Sequence, residues 1–217
     1  MKIIPAILAD NCDDFDRMIQ QAESFTDYVQ IDMMDGAFVP SVSFAPEKLS
    51  HLRTFLSFEV HLMVKHPLAY ISGIDNPALK KVIFHFEADV KHDDFIDQMK
   101  KRGMSVGLAV KPETSLDSFE GIAERADSLL FLTVSPGAYG SPFRPEVMDK
   151  IRKARRMFDD KEISADGGVS SENLKLFMEA GVDTVCVGSR IFLHGDPGKN
   201  YEMFVKKLKE LEVNQWL

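Results

Sequence analysis

Three side chains in this sequence combine residue type and position in a way that suits proton transfer or cation binding. Asp32, His61 and Asp166 each stand at the end of a short β-rich segment. Two carboxylates on opposite faces of a small molecule suit removal of a proton on one side and its return on the other. One histidine and two carboxylates also form a plausible ligand set for a divalent cation. An ion-paired interior, for example Asp32 with His61, is the structural alternative.

Alternation along the strands predicts which way these side chains face. Successive side chains of a strand point to opposite faces. In residues 28–32 the apolar residues occupy one face, so Gln30 and Asp32 occupy the other. The same alternation in two later strands turns His61 and Asp166 towards this second face. Because unpaired buried carboxylates are strongly unfavourable, these groups must share a proton, a cation or a ligand.

Glycine-rich turns follow the last two predicted strands. Gly167-Gly168 follows the strand that ends at Asp166, and Gly188-Ser189-Arg190 follows the last one. Backbone N–H groups in such turns can approach a phosphate closely because glycine has no side chain. Arg190 either adds a cation to this site or makes a surface ion pair. The sequence predicts a phosphate site here, and short structural turns are the alternative.

A loop rich in glycine and proline follows the sixth predicted strand, in residues 134–142. It contains Gly137, Ala138, Tyr139 and Gly140. Its length and its permissive residues fit a lid that closes over a substrate and excludes water. A plain surface loop is the alternative interpretation.

Short β-rich runs alternate with amphipathic stretches along the whole chain, as in Phe15, Met18, Ile19 and Ala22, which recur at helical spacing. The predicted strands are 3–8, 28–32, 58–61, 81–84, 105–110, 128–134, 162–166 and 184–187. An open doubly wound sheet is disfavoured because the first turn lacks Gly-x-Gly-x-x-Gly. We therefore expect one α/β domain over residues 1–217, a (β/α)8 TIM barrel whose strand ends meet at one mouth.

Composition and charge exclude several classes of protein. Hydrophobic residues make up 45% of the 217 residues and charged residues 28%, which is typical of a soluble globular chain. The formal net charge of −8 gives no electrostatic reason to expect nucleic acid as a partner. The two cysteines, Cys12 and Cys186, are far apart, and no apolar run is long enough to span a bilayer. We expect a cytoplasmic protein without a membrane partner.

Seven segments carry a resemblance to a known family. They read PAIL (5–8), IDMMDGAFVP (31–40), VHLMV (60–64), FHFEA (84–88), VSPG (134–137), ADGGV (165–169) and VGSRIF (187–192). With them the chain resembles the ribulose-phosphate 3-epimerases nearly from end to end. That family includes relatives that act on ketohexose 6-phosphates such as allulose 6-phosphate.

The resemblance implies a reaction and a set of site residues. One aspartate would remove the C3 proton of a ketose phosphate, a divalent metal would stabilise the enediolate through O2 and O3, and the other aspartate would return a proton to the opposite face. It also implies self-association as a dimer or hexamer. The implied residues are Asp32 and Asp166 as acid/base groups and metal ligands, His61 as a metal ligand, Met34 and Met63 at the reaction centre, and Gly140, Gly167, Gly168, Gly188 and Ser189 around the phosphate.

The chain departs from the family pattern at other positions of the site. Gln30 stands where the family has a histidine as the fourth metal ligand, and Ala9 stands where it has a substrate-contacting serine. A glutamine oxygen ligates more weakly than imidazole and favours manganese, magnesium or ferrous iron over zinc. Alternatively, Gln30 only hydrogen-bonds. The altered positions keep open a second function, a non-catalytic or weakly active sugar-phosphate-binding protein with a degraded metal site. A related decarboxylase is disfavoured, because Met34 stands where those enzymes have a lysine.

Overall fold

The computed structural model describes residues 1–137 and 140–214. Its eight strands form a closed barrel in the order β1 to β8, and every neighbouring pair is parallel. The strands are β1 Lys2–Ile7, β2 Tyr28–Met34, β3 Ser57–Met63, β4 Leu79–His85, β5 Ser105–Val110, β6 Ser128–Leu132, β7 Glu162–Asp166 and β8 Thr184–Val187. The predicted (β/α)8 barrel is confirmed.

Helices alternate with these strands, and an additional helix completes the described part of the chain. They are α1 Cys12–Ala22, α2 Glu47–Ser50, α3 Pro67–Ile71, α4 His92–Lys101, α5 Leu116–Arg125, α6 Val147–Met157, α7 Leu174–Glu179, α8 Ser189–Phe192 and α9 Pro197–Asn214. The Asn11 side chain caps α1 by accepting a hydrogen bond from the Asp14 backbone N–H at 2.9 Å. The apolar positions predicted for this helix are buried. No helix in residues 1–137 and 140–214 has the length and apolar character needed to cross a membrane.

Apolar side chains form separate layers on the two faces of the barrel wall. Outward-facing residues such as Val29, Ile31 and Ile163 belong to the large core between sheet and helices. The interior holds a smaller cluster of Ile4, Ala6, Ile83, Ala109, Leu130 and Cys186. This separation confirms the predicted alternation, and it places the polar residues of β2, β3 and β7 inside the barrel.

Strand ends differ from the prediction mainly at the mouth. Strands β2 and β3 continue to Met34 and Met63, paired in register, which adds one interior position to each. Strand β6 ends at Leu132, two residues earlier than predicted. There the Thr133 carbonyl accepts a hydrogen bond from the returning Arg144 backbone at 2.8 Å. The loop after β6 therefore begins sooner.

A charged cluster fills the N-terminal end of the barrel interior. Lys81 Nζ lies 3.1 Å from Glu59 Oε2 and 3.2 Å from Glu162 Oε1. The Tyr28 hydroxyl donates to Glu59 Oε2 at 3.1 Å. These ion pairs and the tyrosine hydrogen bond tie the charged groups at this end of the barrel to one another.

Candidate active site

Asp32, His61 and Asp166 meet inside the C-terminal mouth of the barrel. Asp32 and His61 are register partners on β2 and β3, and Asp166 ends β7. His61 Nδ1 lies 3.0 Å from Asp32 Oδ1 and 3.4 Å from Asp166 Oδ2. One ligand atom from each of the three residues lies within 4.8 Å of the others. These separations suit ligands around a first-row divalent cation, whose bonds to N and O are about 2.0–2.2 Å long, so the donor set fits the implied metal.

Gln30 lies beside the two aspartates and is fully buried. Its Nε2 donates to Asp32 Oδ1 and to Asp166 Oδ2, both at 2.8 Å. Its Oε1 accepts a hydrogen bond from the Cys186 thiol, with Sγ at 3.0 Å. An amide nitrogen is a donor and does not ligate a cation through these hydrogens. Gln30 could ligate a metal only if its amide were flipped so that Oε1 faced the aspartates. Ligation by Gln30 therefore stays a prediction.

His61 is held from behind by a second histidine. His61 Nε2 lies 3.0 Å from His85 Nε2, and His85 Nδ1 lies 3.0 Å from Glu87 Oε2. Glu87 Oε1 in turn accepts the Lys111 backbone N–H at 2.8 Å. A proton on His85 Nδ1 leaves its Nε2 as an acceptor for the N–H of His61 Nε2. His61 Nδ1 then faces the aspartates.

Burial and mutual charge shift the ionisation of these groups. Burial, together with the Asp166 carboxylate, raises the pKa of Asp32 to about 6. Burial opposes charge on His61, but its hydrogen bonds to Asp166 and Asp32 outweigh burial and raise its pKa to about 9. Burial lowers the pKa of His85 to about 4, which keeps this ring neutral. Without a metal, the centre at neutral pH therefore contains an imidazolium beside carboxylates.

One cavity of about 420 Å³ opens above this centre and contains most of the predicted site residues. The predicted residues that line it are Asp32, Met63, Gly137, Gly140, Asp166, Gly167, Gly168, Gly188, Ser189 and Arg190. Gln30 and His61 are not in its lining and are completely buried. Met34 is not in the lining either, and it packs with Val39 and Met63 in a small apolar cluster.

Glycine is required at the rim of the cavity after β7. Gly167 has a φ of +100°, and a Cβ placed there would lie 2.3 Å from Val134 Cγ2. A side chain at this position would clash with the start of the loop after β6, and the backbone conformation would be strained. The sequence Gly167-Gly168 therefore brings bare backbone to the cavity wall.

The loop after β6 lies against the loop after β2. The Ser41 hydroxyl donates to the Gly137 carbonyl, and a Cβ on Gly137 would lie 2.9 Å from Val39 Cβ. Of the predicted lid, Ala138 and Tyr139 lie outside the described residues. Closure of this loop over a substrate stays a prediction.

Two residues that line the cavity were not predicted from the sequence. Asn173 lines the cavity, and its amide donates to the Gly168 carbonyl at 2.8 Å. An asparagine shortly after a Gly-Gly turn is a signal that could have indicated this role. Cys186 belongs to the interior apolar cluster, and it also lines the cavity and donates a hydrogen bond to Gln30 Oε1. Its place on β8, two residues before Gly188, was the available signal.

Sequence relatives of the chain share one description. The Ribulose-phosphate 3 epimerase family matches residues 2–192. A ribulose-phosphate 3-epimerase of Schizosaccharomyces pombe is 29% identical over 88% of this chain and 86% of its own length. One of Bacillus subtilis is 31% identical over 92% of this chain and 95% of its own length.

Solved structures agree on the fold. The 3-hexulose-6-phosphate synthase of Salmonella typhimurium superposes with a TM-score of 0.71 at 19% identity, over 97% of this chain and 100% of that one. The orotidine 5'-monophosphate decarboxylase of Sulfolobus solfataricus gives 0.68 at 13% identity, over 97% and 98%. At these identities the likeness concerns the barrel alone. The sequence matches, by contrast, show that the chain belongs to the ribulose-phosphate 3-epimerase family, isomerases that act on carbohydrate phosphates.

Proposed function

We propose that this protein epimerises a ketose phosphate at C3 by proton transfer between two aspartates, with a divalent metal at the same centre. The observation that carries the proposal is the convergence of Asp32 and Asp166 on one cavity, both hydrogen-bonded to the same Gln30 amide at 2.8 Å. Carboxylates from two strands can reach a bound carbon from two sides. Inversion needs this arrangement, because the proton must leave one face and return to the other.

The ionisation of the centre suits this exchange. A general acid or base is most effective when its pKa lies near the working pH. In the metal-free protein, burial and the neighbouring Asp166 raise the pKa of Asp32 to about 6, so both its protonated and ionised forms are accessible near neutrality. His61 Nδ1 lies beside both carboxylates, and once it has released its proton it would hold the metal next to them.

The glycine-rich part of the cavity wall suits the phosphate of the substrate. Gly167 and Gly168 present backbone at the wall, and Gly188, Ser189 and Arg190 line the same region. Backbone N–H groups together with a guanidinium favour a phosphate dianion. A ketose phosphate held in this way would place its carbon chain towards the aspartates.

Asp32, His61 and Asp166 would hold the divalent metal, with manganese, ferrous iron, zinc and magnesium as candidates for this mixed N and O ligand set. When bound, the metal would offset the negative charge that develops on the substrate oxygens next to C3. The relatives' names favour ribulose 5-phosphate as the substrate, and a hexulose 6-phosphate is the alternative. We also propose a homodimer or homohexamer in the cytoplasm.

The test is an epimerase assay on ribulose 5-phosphate and on a hexulose 6-phosphate, using protein stripped by chelator and then reloaded with Mn²⁺, Fe²⁺, Zn²⁺ or Mg²⁺. We expect one of the two ketose phosphates to be epimerised, with activity lost on chelation and restored when metal is added back. Asp166→Asn should reduce kcat by at least about 10³-fold, because the exchanging group is lost. Turnover by Asp166→Asn at the wild-type rate would contradict the proposal. The second candidate is a non-catalytic sugar-phosphate-binding protein, because Gln30 turns its donor side, and not a metal-binding oxygen, towards the aspartates. Tight binding of both sugar phosphates without turnover, whichever metal is added, would support this candidate instead.

A further inference from the structure

A hydrogen bond between a thiol and an amide lies directly beneath the two aspartates. The Cys186 thiol donates to Gln30 Oε1, with Sγ at 3.0 Å. Both residues are buried inside the barrel, with relative exposures of 1% for Cys186 and 0% for Gln30. The proton transfers proposed above do not use the thiol.

The neighbours of the amide determine which way it faces. Gln30 Nε2 is 2.8 Å from Asp32 Oδ1 and 2.8 Å from Asp166 Oδ2. Ionised carboxylate oxygens only accept hydrogen bonds, so the donor side of the amide must face them. The acceptor side then needs a donor of its own on the opposite flank. The Cys186 thiol, an S–H donor at 3.0 Å from Oε1, occupies that flank.

We propose that Cys186 is a positioning residue for the epimerase centre, acting through Gln30. Its thiol fixes the amide with the NH₂ group on both aspartates, in the metal-free and in the metal-loaded protein. Gln30 is then a clamp that sets the separation of the two carboxylates. The cation has three ligands from this chain, Asp32, His61 and Asp166.

Asp32 and Asp166 can bind a metal ion while they accept the hydrogen bonds from Gln30. A carboxylate oxygen has two lone pairs and can accept an N–H while it binds a cation. Outer hydrogen bonds of this kind orient metal ligands, and their loss lowers metal affinity or activity by about 10–100-fold. The inference rests on the proposed function only for the role of the aspartates, since the hydrogen bonds themselves can be tested without turnover.

The first experiment is a crystal structure of the Mn²⁺-loaded protein. Ligation places an oxygen within about 2.2 Å of the ion, so oxygen and nitrogen of the amide need not be told apart. We expect ligand distances for Asp32, His61 and Asp166, and no side-chain atom of Gln30 within about 2.5 Å of the ion. A Gln30 atom at ligand distance would overturn the proposal.

The second experiment compares Cys186→Val, which removes the donor, with Cys186→Ser, which keeps one. Leu130→Val is the matched control, because it removes a methylene from the same interior layer. At saturating Mn²⁺ we expect Cys186→Val to lower kcat about tenfold with KM within about twofold. Cys186→Ser and Leu130→Val should stay within about twofold of wild type in both constants. Equal losses in Cys186→Val and Leu130→Val would show a packing effect only and would overturn the assignment.

The third experiment uses NMR on the metal-free protein, so that the role of Cys186 can be tested without an activity measurement. The five glutamines are labelled with ¹⁵N in the side chain, and the Gln30 signal is assigned by its loss in Gln30→Met. We expect the Gln30 NH₂ signal of Cys186→Ser to keep its wild-type position, and that of Cys186→Val to move as the amide loses its fixed orientation. An unmoved signal in Cys186→Val would contradict the role of Cys186, even if the protein proved not to be an epimerase.

Discussion

The two ends of the barrel interior hold similar chemical groups with different consequences. A cluster of two carboxylates and one basic side chain lies at each end, and strands β3 and β7 contribute to both clusters. The groups are Glu59, Glu162 and Lys81 at the N-terminal end, and Asp32, Asp166 and His61 at the mouth. The identity of the basic group makes the difference.

Lys81 is a permanent cation at physiological pH. Burial opposes its charge, but the Glu59 and Glu162 carboxylates outweigh burial and raise its pKa above the ordinary value. The proton that His61 carries can be released, since its pKa is raised only to about 9, and its Nδ1 can then bind a metal instead. We therefore expect the Lys81 cluster to matter for stability and the His61 cluster, which borders the cavity, to matter for proton exchange.

Of the variants that test this comparison, Lys81→Met should have the largest effect, a loss of stability. The change leaves the Glu59 carboxylate, 1% exposed, without its cation. Removal of one partner of a buried ion pair costs roughly 3–5 kcal/mol. We expect a loss of this size in the free energy of unfolding from urea titration, with kcat of the folded protein within about twofold of wild type.

Two further variants calibrate this loss. Lys80→Met alters the exposed neighbour, whose Nζ contacts the Pro77 carbonyl, and should change the unfolding free energy by less than about 0.5 kcal/mol. Glu59→Gln added to Lys81→Met should recover much of the loss, because the uncompensated charge is removed. An equal loss in Lys80→Met would show that the N-terminal cluster has no special role in stability.

The second prediction concerns the pH dependence of stability, which should differ between the His61 cluster and the Lys81 cluster. Because the pKa of His61 is raised from 6.5 to about 9, the folded metal-free protein binds this proton more tightly than the unfolded chain does. The contribution is complete below about pH 6.5 and is lost as the pH rises to about 9. Linkage makes this loss roughly 3 kcal/mol.

Urea unfolding between pH 6.5 and pH 9 in the presence of chelator measures this effect. His61→Asn is the reference, since it lacks the titrating ring, and its unfolding free energy should vary much less over the interval. Lys81 adds no comparable step there, because its pKa is raised from 10.5. Identical slopes for wild type and His61→Asn would exclude the charged His61.

Gln30→His gives the smallest of these effects. Imidazole offers a lone pair where the Gln30 NH₂ group offers only hydrogens. We expect the dissociation constant for Mn²⁺ or Zn²⁺ to fall at least about tenfold, or about 1.4 kcal/mol, in equilibrium dialysis. Gln30→Met, which removes the clamp without adding imidazole, should not gain affinity. If Gln30→His binds metal no more tightly than wild type, position 30 does not limit metal binding.

Alternation within single strands was sufficient to predict much of the site. This alternation correctly predicted that Gln30, Asp32, His61 and Asp166 face the barrel interior, because the two faces of each strand differ in polarity. The order of elements predicted the barrel for the same kind of reason, since each unit carries its own local pattern. The strands placed in this way bring Asp32, His61 and Asp166 together at the mouth.

Contacts between strands were less accessible to prediction. The Cys186–Gln30 hydrogen bond joins β8 to β2, two strands apart around the ring, and their relative height depends on barrel stagger. The location of Met34 in an apolar cluster depends on how the loop with Val39 packs over it. Neither the stagger nor the loop packing leaves a periodic signal in the sequence.

The central claim, that Asp32 and Asp166 serve opposite faces of one carbon, is tested most directly by deuterium exchange at C3. Ribulose 5-phosphate and xylulose 5-phosphate are incubated separately in deuterated water with wild type, Asp32→Asn or Asp166→Asn, and C3 is followed by NMR. Wild type should place deuterium in the product from either substrate. Each variant should fail to epimerise, and each should exchange the C3 proton of one epimer only, with opposite preferences. Exchange of both epimers by Asp166→Asn would contradict the account, because one aspartate would then reach both faces.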